Sequence, residues 1–108
     1  MTRYLIEETI SSQAVAALLK NPQNRTDPTR QAFESVGGKL EHCYVAHTEN
    51  NAYLLAEVPD QESLTAVMWA MHAGGGLMSW KATPVMACQE SVDILKKAGS
   101  LGYRSSIV

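Results

Sequence analysis

The chain is poor in nearly everything that marks a specialised class of protein. It has only two cysteines, Cys43 and Cys88, set far apart, which excludes a disulfide scaffold and a Cys-x-x-Cys metal site. Both read instead as small buried hydrophobes. A charge excess of either sign is also missing. Nine Lys and Arg stand against eleven Asp and Glu, and they are interspersed, without the basic cluster that a phosphate backbone or an anionic membrane surface needs. Nucleic acid and membrane are therefore not expected partners. No stretch approaches the roughly 20 apolar residues of a membrane span. No basic-then-apolar leader opens the chain either, because Met1-Thr2-Arg3-Tyr4-Leu5-Ile6 turns acidic at Glu7-Glu8. A cytoplasmic protein is the expectation. Internal repeats are absent, as is any low-complexity tract beyond Gly74-Gly75-Gly76.

What is present suits one α+β domain spanning residues 1–108. A hydrophobic content of 45% in 108 residues supplies one core and not two. Thr2 to Thr9 reads as a strand, and Ser11-Ser12-Gln13 offers caps for a helix from Gln13 to Lys20 that Asn21-Pro22 must break. Thr26-Asp27-Pro28 restarts a helix with Asp27 as cap. Ala32, Phe33 and Val36 share one face of it, and Gly37 supplies a left-handed stop. Lys39 to Thr48 is strand-like, with Leu40, Tyr44 and Ala46 expected on one face and Cys43 and Val45 on the other. Glu49-Asn50-Asn51 turns the chain into a partner strand, Ala52 to Val58. Asp60-Gln61-Glu62 then starts a helix whose core stripe is Leu64, Val67, Met68 and Met71, ending at the triple glycine. Leu77 to Ala87 gives a fourth strand, and Gln89 to Ala98 a terminal helix anchored by Val92 and Leu95, with a partly extended tail from Ser100. This order matches the split βαβ arrangement of ferredoxin-like domains, in which the second and fourth strands lie at opposite edges and keep Cys43 and Cys88 apart.

The Gly37-Gly38-Lys39-Leu40 opening of the second strand, the Pro59-Asp60 helix start and the Lys96-Lys97-Ala98-Gly99 ending together resemble the GYD-domain family. That resemblance implies a ferredoxin-like fold that pairs as a dimeric α/β barrel, and it brings no general reaction, ligand or cofactor. The family's namesake Gly-x-Tyr-Asp falls where this chain reads Thr48-Glu49-Asn50-Asn51, so no catalytic residue carries over.

Several residues invite chemistry on their own account. His42, His47 and His72 lack close ligand spacing, and the odd separation of the first two sends them to opposite faces of a regular strand, so no metal site is expected. His72, near the end of its helix, reads as a half-buried imidazole favoured by the helix dipole. Cys43 beside His42 makes a poor dyad because adjacent strand residues point apart, whereas His47 on the Cys43 face is better placed to polarise the thiol. The triple glycine follows a helix instead of opening one, which suits a stop or hinge and not a phosphate cradle. Trp80 sits mid-strand as a core residue. Trp69 falls off its helix's core stripe and calls for an intersubunit or terminal-helix contact.

Apolar residues on both faces of every strand imply a sheet covered on one side by its own helices and on the other by a second copy, hence at least a dimer. Three functions follow. The first is a homo-oligomeric protein that holds a small organic molecule between sheet and helices, near His47, Tyr44 and Trp80 with His42 and His72 as further lining. The second is an interaction or scaffold module without a pocket. The third is an isomerase-like enzyme with His47 moving a proton. The sequence leaves open whether the protein is an enzyme.

Overall fold

The computed structural model describes residues 1–106. Its strands are β1 (Thr2–Ile10), β2 (Lys39–Val45), β3 (Asn51–Val58) and β4 (Leu77–Val85). Its helices are α1 (Ser12–Lys20), α2 (Thr26–Glu34), α3 (Gln61–Ala73) and α4 (Ser91–Gly99), the last entered through a short 3-10 turn, Cys88–Glu90. The strands form one antiparallel sheet in the order β2-β3-β1-β4, with β1 and β3 at its centre. This is the order expected of a ferredoxin-like domain.

Period-2 alternation builds the core. Tyr4 and Ile6 from β1 and Ala52, Leu54, Ala56 and Val58 from β3 point to the same side, where Phe33 of α2 and Leu64, Val67 and Met68 of α3 close over them. Asp60 caps α3 by accepting from the Ser63 N–H at 2.7 Å, which holds its carboxyl below the ordinary range. Ser11 caps α1 by accepting from the Ala14 N–H at 3.1 Å. Its hydroxyl also donates to the Gly75 carbonyl at 2.6 Å, tying the start of α1 to the α3–β4 turn. Gly37, at a φ of 80°, makes the left-handed stop after α2. Gly38 is required for another reason, since a Cβ there would lie 2.5 Å from the Glu57 carbonyl oxygen.

Five expectations are corrected. The register of β2 against β3 shifts between Leu40 and His42, so Glu41 is a bulged residue. Leu40 and Cys43 therefore share the helix-covered side, and Tyr44 joins His42 on the open one. Strand β2 ends at Val45, short of Thr48, which leaves His47 in an exposed bend. Asp27 does not cap α2. Asn24 Oδ1 accepts from the Thr26 N–H at 2.9 Å just upstream, while Asp27 pairs with Arg30. Val92 and Leu95 anchor nothing in their own chain, because α4 packs chiefly on the turn that leads into it and carries no buried residue. The pairing of β1 with its neighbours on both sides keeps Cys43 and Cys88 at opposite sheet edges, and both are free thiols. Cys88 is exposed, not buried.

Candidate functional site

The helix-covered side of β1 runs Tyr4, Ile6, Glu8. The third of these breaks the apolar pattern. Glu8 lies between Ala52 of β3 and Trp80 of β4 and keeps only 6% of its surface exposed. Its Oε2 has no hydrogen-bond partner among the described residues. A buried carboxylate without a partner is costly, so burial favours the protonated form and pushes the group up to about 7. It is the one buried charged residue in the described structure, and it stands within reach of proton exchange at neutral pH.

Cys43 lies one strand further across, on the same side and packed against the core. Burial pushes its thiol up. The neighbouring Thr26 hydroxyl and Arg30 guanidinium pull the other way, while the Glu8 carboxyl adds to the rise. A thiol held up by burial is a poor nucleophile, and His47 sits out in the turn, so the Cys43–His47 pairing is not assembled. The N-terminal turn of α2 thus roofs the Cys43 end of this region. Helix α1 contributes no buried side chain to the space between sheet and helices.

The residues singled out from the sequence separate into different places. Trp80 packs on the core beside Glu8. His42 and Tyr44 stack on the open face with ring centroids 5.9 Å apart, and Tyr44 is 63% exposed. His72 is exposed in the last turn of α3, not half-buried, because it lies beyond the Met68–Met71 stripe on the solvent side. Among the described residues no group of three His, Cys, Asp or Glu is arranged to hold a metal. Glu8 was missed by the sequence reading, although the period-2 run Tyr4, Ile6, Glu8 placed a carboxyl on an apolar face.

The open face of the sheet is more polar than the sequence suggested. Arg3 donates to Glu41 and Glu57, both at 3.1 Å. Glu7 accepts from Asn51 at 3.3 Å and from the Tyr53 hydroxyl at 3.1 Å, which holds the phenol above its usual range. Lys81 lies across from Glu7. Leu5, Leu55, Tyr44 and Tyr53 form an apolar band inside this frame. Two depressions lie elsewhere. One is an open groove of about 520 Å³ on the outer side of α3, lined by Gln61, Glu62, Thr65, Ala66 and Trp69. The other is a polar hollow of about 260 Å³ beside Arg3, Glu57 and Glu90.

Helices gathered on one face of an antiparallel sheet in this strand order define a ferredoxin-like α+β domain. The GYD-domain profile matches residues 4–95, and the chain belongs to that family. The structure of an uncharacterized NIPSNAP domain protein from Burkholderia xenovorans is similar, with a TM-score of 0.51 and 14% identity over 82% of this chain and 95% of that one, a likeness of fold. No curated protein matches the chain. No helix is long and apolar enough to cross a membrane.

Proposed function

We propose that the protein binds a small organic molecule on the helix-covered side of the sheet, with Glu8 as its polar anchor and Trp80 and Cys43 as neighbours. The orphaned Glu8 Oε2 carries this reading. A ligand N–H or O–H would satisfy that oxygen, and a carboxyl poised near neutrality could take or return a proton there. Proton transfer in an isomerase-like reaction therefore falls to Glu8 and not to His47. Entry is by displacement of α1, which contributes no buried side chain. A fragment screen followed by amide NMR tests the reading. Ligands should shift residues around Glu8 and Trp80 and lose at least tenfold in affinity in Glu8→Gln. Shifts confined to the α3 groove, or affinity unchanged in Glu8→Gln, would contradict it.

The scaffold reading draws on a separate observation, the position of both depressions outside the space between sheet and helices. A screen that finds no ligand for the Glu8 region would favour it. Either way we infer that the chain works as a dimer in the cytoplasm. The band of Leu5, Leu55, Tyr44 and Tyr53 on the uncovered face supports the first part and the two free thiols the second. Light scattering at micromolar concentration should then report at least twice the 11.8 kDa chain mass, and a monomer would contradict it.

A further inference from the structure

Helix α4, the C-terminal arm, buries none of its side chains among the described residues. The chain's radius of gyration is 17.7 Å and its longest extent 59 Å, whereas a compact domain of this length has a radius of about 13 Å. Helix α4 follows Cys88–Glu90 after the last strand and packs chiefly on that turn, which fits an extended shape. A helix of nine residues falls below the roughly 12–15 that hold helical form alone in water, so its stability has to come from packing. Its sides divide cleanly. At 100° per residue Val92, Ile94, Leu95 and Ala98 occupy one half of the surface, while Asp93, Lys96 and Lys97 occupy the other. Most of the apolar half is exposed, Leu95 at 66%, Ile94 at 52% and Val92, the most covered of the three, at 36%.

The same chain carries a surface shaped for such a helix. The open depression on the outer face of α3 is lined by that helix alone, with the small Thr65 and Ala66 letting a second helix approach closely beside Trp69, which is 68% exposed and off the core stripe. Glu62 at the rim faces incoming lysines with the opposite charge. Among the described residues neither Leu95 and Ile94 on the arm nor Trp69 in the groove is covered. We propose that α4 of one copy docks in the α3 groove of a second copy, with Leu95 and Val92 against Trp69 and Lys96 or Lys97 beside Glu62. The exchange is reciprocal, so a dimer makes the contact twice. It adds to the open-face pairing proposed above, and the experiment below separates the two.

Sedimentation equilibrium on full-length chains tests it. Trp69→Glu removes the groove and Leu95→Glu removes the arm, and both positions are exposed, so the domain should stay folded and circular dichroism should lose no more than the helical signal of α4. Each variant alone should dissociate at least tenfold more readily than the wild type. An equimolar mixture should associate at least threefold more tightly than either variant alone, because the mixed dimer keeps one intact arm in one intact groove. No gain on mixing would overturn the proposal even if open-face variants such as Leu5→Glu still dissociate the dimer. A Trp69 fluorescence change in Leu95→Glu that does not depend on protein concentration would also overturn it, since the arm would then be folding onto its own groove.

Discussion

Glu8 is the residue on which the proposed binding turns, and its burial has a thermodynamic signature. A Glu ordinarily titrates near 4.5, whereas this one is pushed up to about 7 in the folded chain. The unfolded chain therefore gives up the proton first as pH rises. Stability from this group is full below about 4.5, falls through the interval up to about 7 and is level above it, a loss on the order of 3 kcal/mol. Urea unfolding from pH 4.5 to 8 should show that decline in the wild type, and Glu8→Gln should remove that part of it. Gly38 gives a second residue-scale expectation. Its Cβ-free backbone lies against the carbonyls of Glu57 and Phe33, neither of which can swing aside. Gly38→Ala should lower the urea midpoint by the equivalent of about 3 kcal/mol, the upper part of the overpacking range. The sequence pattern marks one of these residues openly and the other only in hindsight. Gly37-Gly38 was legible because a helix stop and a strand start need special backbone there, and Glu8 was legible in the alternation Tyr4, Ile6, Glu8. That second signal was hidden by the neighbouring Glu7, which made the pair look like the polar end of a strand.

At the scale of elements, what sequence pattern could reach depended on whether neighbours within the chain decide the outcome. Strand β3 and helix α3 follow their periods closely, because Leu54, Ala56 and Val58 and Leu64, Val67 and Met68 all find core partners. Strand β2 did not, because a bulge at Glu41 changes which residues share a face. A bulge is set by pairing with β3 and by the Arg3–Glu41 ion pair, neither of which is local. The site residues suffered most from this, since His42 and Tyr44 came to the open face while Trp80 stayed inside. Helix α2 is held by one fully buried side chain, Phe33. Phe33→Ala should cost about 3–5 kcal/mol by thermal unfolding and loosen α2 over Cys43. Helix α4 is the opposite case. Val92→Ala with Leu95→Ala should change the stability of the dilute, dissociated chain by less than about 0.5 kcal/mol, because neither side chain is buried there.

The whole molecule divides its labour between the two faces of one sheet. The helix-covered face carries the core and, at its Glu8 end, an unpaired carboxyl. The open face carries ion pairs around an apolar band, which is what an interface between copies needs if it is also to remain soluble when separated. The fold was legible at this scale because the order of elements and the right-handed crossovers of split βαβ units leave few alternatives. The position of the arm was not, because nothing in its own chain fixes it. The account stands on Glu8 being a carboxyl that exchanges its proton near neutral pH inside the folded domain. Carbon-detected NMR of the Glu8 carboxyl, assigned by its loss in Glu8→Gln, measures that directly: a midpoint near 7 is the result the account predicts, and a midpoint near 4.5 would contradict it.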